Sequence, residues 1–266
     1  MCIRDRVEDV RRGRLAPPAT RFPRIAPPHL DPEPASPRES LLPRALPAPT
    51  TPFFGRELEL AELTRLFADP TTRLVSLVGP GGMGKTRLAL AWVETQLADN
   101  RFADGVIFVD LAPVPDAHGV IPALADALRF PLQEGAQDPR PPLRQIASYL
   151  APRQLLLLLD NAERLLEAAP LLVDLLAAAP GVRMLVTSRE RLGVRPETVY
   201  AIDGLAFPPP GATPAAADYA AGRLFVGAAR RVQPQFAADS ADDRAQVAAI
   251  GPVSYTHLRA HETVLD

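Results

Sequence analysis

Lys85 is the only lysine in a 266-residue chain that uses arginine wherever else it carries a long basic side chain. It stands in Gly79-Pro80-Gly81-Gly82-Met83-Gly84-Lys85-Thr86. The octet fits G-x-x-x-x-G-K-[ST], the loop that wraps a phosphate chain in backbone N–H groups. Space inside such a loop is small. A compact ammonium fits between the terminal phosphates, whereas a planar guanidinium fork is too wide. Gly79, Gly81, Gly82 and Gly84 permit the backbone angles that let N–H groups converge on oxygens. A helix beginning near Lys85 adds its positive end. Thr86 offers a hydroxyl to Mg²⁺, and Arg87 is assigned to the same nucleotide-binding stretch. A glycine-rich turn that merely caps a helix is the plainer alternative, but a strand before, a helix after and the lone lysine favour a bound nucleoside triphosphate.

Three further groups carry candidate chemistry. Leu155–Leu159 is a continuous apolar run that ends in Asp160. A buried strand ending this way puts a carboxylate beside the phosphate loop, where a magnesium shell needs one; the alternative is an Asp that caps the following helix. Many ATPases of this kind place Glu directly after that Asp to activate water. Here the position is Asn161, with Glu163 two further on. A general base must come within about 3 Å of the attacking water. Whether Glu163 does so is open, and slow hydrolysis suits this pattern better than a fast motor. Thr187-Ser188-Arg189 closes another strand. Thr187 and Ser188 can donate hydrogen bonds and Arg189 can bring positive charge to a terminal phosphate, against the alternative of a solvated ion pair with Glu190. Phe53-Phe54-Gly55-Arg56-Glu57 is weaker alone and reads equally as a helix cap with a hydrophobic staple. Its place just ahead of the phosphate-loop strand assigns Gly55 and Arg56 to the nucleotide pocket.

The elements that must position these residues alternate in type. The pattern predicts helices over Leu58–Phe67, Lys85–Leu97, Val120–Leu128, Leu143–Leu150 and Glu163–Leu176, the last bent or split by Pro170. Strands are predicted over Arg73–Val78, Val106–Asp110, Gln154–Asp160, Val182–Thr187 and Val199–Ile202. Ala215–Val232 and Ala241–Ile250 read as helices of a following unit. Alternating strands and helices mean an α/β fold, a parallel sheet covered on both faces. Residues 53–210 form the expected nucleotide-binding domain and 211–251 the start of a helical lid. Twelve prolines between Pro17 and Pro52 mark 7–52 as an extended linker. Residues 1–6 and 252–266 differ in style from the body and read as non-native leader and tail. His257 and His261, spaced to clamp a metal, fall in that tail and are set aside. Trp92 reads as a core residue.

Composition excludes several classes. The formal net charge of −2 gives no sign of a nucleic-acid-binding surface. One cysteine, Cys2, rules out a disulfide framework and makes a cytoplasmic setting the default. The apolar run at Leu155–Leu159 is far too short to span a membrane.

In this order, FFGRE, GPGGMGKT, LLLLLDN and LVTSRERLG resemble the nucleotide-binding core of STAND-class signal-transduction ATPases. The similarity is strongest to the NB-ARC-like branch found in bacterial transcriptional regulators. The resemblance covers about Phe53 to Ile250. It implies strand order 5-1-4-3-2, ATP or ADP with Mg²⁺, Lys85 on the β/γ phosphates, Thr86 and Asp160 on the metal, Arg189 as sensor arginine, and Gly55 and Arg56 near the base. The family's next motif, a Gly-Leu-Pro-Leu turn, is missing. The implied function is an ATP/ADP-dependent switch with slow hydrolysis and nucleotide-dependent oligomerisation. DNA contact is expected only through a domain upstream of the linker. A motor ATPase of the AAA+ type, with Arg191 or Arg195 as finger, a P-loop kinase, and a non-hydrolysing nucleotide-binding module are the alternatives.

Overall fold

A computed structural model describes residues 46–48, 53–133, 138–205, 219–233 and 235–236. The expected leader and tail, residues 7–45 and 49–52 of the expected linker, the helix at 241–250, His257 and His261 lie outside these residues.

Five parallel strands form one sheet: β1 (Leu74–Val78), β2 (Val106–Asp110), β3 (Leu156–Asp160), β4 (Arg183–Ser188) and β5 (Glu197–Ala201). Their order is β2-β3-β4-β1-β5, the expected one read from the other edge. The α-helices among the described residues are α1 (Glu57–Ala68), α2 (Lys85–Ala98), α3 (Val120–Ala127), α4 (Pro142–Leu150), α5 (Ala169–Ala178) and α6 (Ala220–Val232).

The leucine run is continuous because both faces of the sheet are covered. Leu155, Leu157 and Leu159 join Met184 and Val186 in the core beneath α3, α4 and α5. Leu156 and Leu158 turn to the other face and join Val75, Leu77 and Leu185 beneath α1 and α2. The period of two along each strand thus sorts one apolar string into two cores.

Helix α1 has strong helix formers, with Glu57 and Glu59 in its first turn and Arg65 in its last, matching the helix dipole. It buries Leu63 and Phe67. Arg101 and Arg183 both donate to the Phe67 carbonyl and so cap its negative end. Phe67 stacks on Trp92 of α2 with ring centroids 4.6 Å apart. The Trp92 indole N–H donates to Thr64 Oγ1 at 3.1 Å, which satisfies the one polar atom of a fully buried ring. The expected helix at Glu163–Leu176 divides into a 3₁₀ turn over Ala162–Ala168 and helix α5, in which Pro170 sits in the first turn. Proline is tolerated there because its missing N–H has no helical acceptor to lose. No helix among the described residues is long and apolar enough to cross a membrane.

Candidate functional site at the carboxyl edge of the sheet

The phosphate loop runs from Gly79 to Gly84, between β1 and α2. Gly81 and Gly82 form its turn. Gly82 and Gly84 hold φ of 68° and 80°, the left-handed region that residues with a Cβ rarely occupy. Gly84 is the N-cap of α2, so the helix starts at Lys85 itself. Gly79 N donates to the Ser188 carbonyl at 3.3 Å, which ties the first loop residue to the end of β4. Lys85 Nζ donates to the carbonyls of Gly79 and Pro80 at 2.7 and 2.9 Å. The ammonium therefore lies folded inside the loop. Arg87 is half-buried in the first turn of α2.

Asp160 ends β3, next to the loop, and is buried. Thr86 Oγ1 donates to its Oδ1 at 2.7 Å, as does Thr187 Oγ1 from the end of β4 at 2.5 Å. Asn161 Nδ2 donates to the other carboxylate oxygen at 3.1 Å, and the Asn161 backbone N–H donates to Thr187 Oγ1, also at 3.1 Å. Burial pushes the Asp160 carboxyl above its usual range. The hydrogen bonds from Thr187 and Thr86 oppose that rise, and the carboxylates of Asp110 and Glu163 add to it. Asp110 sits directly opposite Asp160 in the β2–β3 register. That neighbour was not anticipated, although VIFVD at 106–110 repeats the pattern of an apolar strand closing on Asp.

Glu163 lies in the 3₁₀ turn after Asn161, whose backbone is itself left-handed (φ 63°). Arg189 faces Glu163, Nε to Oε1, at 3.3 Å. The alternative pairing with Glu190 is not the one formed; Glu190 instead donates its backbone N–H to Ser188 Oγ. Arg191 and Arg195, the finger candidates, are exposed.

Arg56 is buried and left-handed (φ 71°) at the N-cap of α1. Its guanidinium donates to Glu59 at 2.7 Å and to the Met83 carbonyl at 3.1 Å. It thus braces the phosphate loop across 27 residues of sequence, a contact no local pattern reveals. Gly55 packs beneath the start of α6, where an added Cβ would lie 2.5 Å from Ala220 Cβ. A Cβ added at Gly227 of the same helix would lie 3.2 Å from the ring of Phe54.

The donor set suits magnesium. A hydroxyl and a single carboxylate stand side by side next to a phosphate loop, and Mg²⁺ is ordinarily held by one or two carboxylates plus substrate phosphates. No cluster of three or more metal-binding side chains occurs among the described residues, as a dedicated protein cage would require.

A family model described as an AAA ATPase domain matches residues 52–188, from the opening turn through the end of β4. The chain belongs to the AAA ATPase domain family. Among curated proteins, this AAA ATPase chain is 38% identical over 166 residues to a Mycobacterium tuberculosis protein provisionally named an HTH-type transcriptional regulator. The match covers 62% of the chain and 17% of that protein. It is 37% identical over 188 residues to an uncharacterised M. tuberculosis protein, covering 70% of the chain and 43% of the relative. The chain therefore spans under half the length of these relatives. Among solved structures, a STAND protein with a tetratricopeptide repeat sensor from Pyrococcus horikoshii aligns at 15% identity and TM-score 0.49, covering 84% of this chain and 30% of that one. Cdc6p from Pyrobaculum aerophilum aligns at 19% identity and TM-score 0.39, covering 58% and 42%.

Proposed function

We propose that this AAA ATPase domain binds ATP and ADP with Mg²⁺ and works as a slow switch of the STAND, NB-ARC-like kind within a transcriptional regulator. The observation that carries the proposal is the junction of Thr86 Oγ1 and Asp160 Oδ1 at 2.7 Å, directly behind a loop that holds the only lysine of the chain. In the proposed complex Lys85 leaves the Gly79 and Pro80 carbonyls for the β and γ phosphates. The backbone of Gly79 to Gly84 cradles those phosphates. Thr86 and Asp160 hold the metal, which would neutralise phosphate charge. Thr187 keeps the Asp160 carboxylate aimed at the metal position. Arg189 senses the terminal phosphate. Arg56 fixes the loop through Met83, and Gly55 lets α6 close against the opening turn.

The name of one relative supports a role in transcription; the proposal puts DNA contact elsewhere in a longer protein and the domain in the cytoplasm. The proposal includes nucleotide-dependent assembly.

A second reading is a module that binds ATP without hydrolysing it. Asn161 favours it: the position directly after Asp160 carries an amide that donates to Asp160 rather than a carboxylate that could take a proton from water. Steady-state hydrolysis by the 266-residue chain separates the readings. The switch predicts measurable turnover well below about 1 s⁻¹, the low end for ordinary enzymes. Many turnovers per second would place the domain with motors or kinases. Intact ATP retained for hours would establish the non-hydrolysing module.

A further inference from the structure

β3 and β4 are neighbours in the sheet, so the segments leaving their carboxyl ends run side by side. Asn161 turns the chain through a left-handed residue directly after β3, which brings Glu163 around to Arg189, one residue past β4. The two side chains pair at 3.3 Å; Arg189 is 53% exposed and Glu163 only 22%. The second carboxylate oxygen, Glu163 Oε2, is buried and receives no hydrogen bond. A carboxylate in that position is poorly solvated and is paired with the Arg189 guanidinium. Poor solvation alone would suit a general base as well; the standing ion pair with Arg189 is what marks Glu163 as a counter-ion.

We propose that Glu163 is the resting counter-ion of Arg189. It holds the sensor arginine until the terminal phosphate of a nucleoside triphosphate competes for it. The proposal rests on the reading of Gly79–Thr86 as a triphosphate site. A γ-phosphate offers Arg189 more charge than a carboxylate and more than one oxygen to accept from its fork. In the present pair Arg189 Nε stands 3.3 Å from Oε1, and Oε2 accepts no hydrogen bond, so the bidentate form is not made. A nucleoside diphosphate has no γ-phosphate to offer and leaves the pair intact. Glu163 thereby acts as a positioning residue that lowers the preference for ATP over ADP, because ATP must displace it and ADP need not. Exposure of Arg189 keeps the effect modest, about two- to fivefold in affinity, as for other part-exposed ion pairs.

The test is calorimetric titration of MgATP and MgADP into the 266-residue chain and its Glu163→Gln and Glu163→Ala variants, with folding checked by the fluorescence of Trp92. Removal of the counter-ion should raise the ATP-over-ADP affinity ratio by about two- to fivefold, through tighter ATP binding. The same substitutions in an Arg189→Ala background should leave the ratio unchanged, since no arginine remains to be released; a purely structural role would not show that dependence. An unchanged ratio in the folded single variants overturns the proposal. If hydrolysis then falls by about a hundredfold or more, Glu163 is the general base instead. Failure of the wild-type chain to bind either nucleotide overturns the triphosphate reading itself and the counter-ion with it.

Discussion

Thr187→Val replaces a buried hydroxyl with a methyl of nearly the same size, at a side chain that is 1% exposed. The hydroxyl donates to Asp160 Oδ1 and accepts from the Asn161 N–H. Losing a hydrogen bond to a carboxylate costs about 1.5–3 kcal/mol, and stranding the Asn161 N–H costs about 1 kcal/mol more. The added methyl returns up to about 0.8 kcal/mol of burial. The net destabilisation is therefore about 2–3 kcal/mol. Urea unfolding can be followed through Trp92, the only tryptophan, which is fully buried against Phe67. With a urea slope of about 2–3 kcal/mol/M, the midpoint should fall by about 1 M. Thr187→Ser keeps the hydroxyl and should lose less than half as much. A Thr187→Val stability within about 0.5 kcal/mol of wild type, the range of an ordinary surface change, would refute the network. Equal losses in both variants would assign the effect to packing instead.

Burial raises the Asp160 carboxyl in the folded state, so the folded protein holds that proton to higher pH than the unfolded chain does. Ionised Asp160 then costs stability, and the cost sets in as pH rises from the ordinary carboxylate pKa, about 4, through the raised folded value. The stability of Asp160→Asn relative to wild type should therefore be greater at pH 7 than at pH 4, read from urea midpoints at both; a gap that narrows toward pH 7 would contradict the assignment. Gly55→Ala places a Cβ 2.5 Å from Ala220 Cβ at a left-handed position. It should cost about 1–3 kcal/mol and speed amide hydrogen exchange in α6, and unchanged exchange there would show that the opening turn does not support the helix.

The parts of the site legible in the sequence are those set by contiguous residues. Gly82, Gly84, Lys85 and Thr86 act through one loop and the helix it opens, so their spacing carries their geometry. Asp160 was legible because a five-leucine run has nowhere to go but the middle of a covered sheet. Strand boundaries fall within about two residues of expectation for the same reason. The strand order is another matter: nothing in the periodicity distinguishes one parallel order from another, and the expectation came from the resemblance. Contacts that depend on strand adjacency were hidden with it. Asp110 opposes Asp160 because β2 borders β3, and Glu163 meets Arg189 because β3 borders β4. Sequence proximity had offered Glu190 instead. Arg56 reaches Met83 because α1 packs on α2 through Phe67 and Trp92, a tertiary event.

The central claim is that Lys85 and its loop bind a nucleoside triphosphate. Calorimetric titration of MgATP into the wild-type chain and Lys85→Ala, with the Trp92 emission of both compared first, tests it most directly. The account predicts saturable binding by the wild type and a loss of at least about a hundredfold in the variant, roughly the 2.7 kcal/mol of a charge-assisted contact to phosphate, with emission unchanged. Undiminished affinity in a folded Lys85→Ala variant would contradict it.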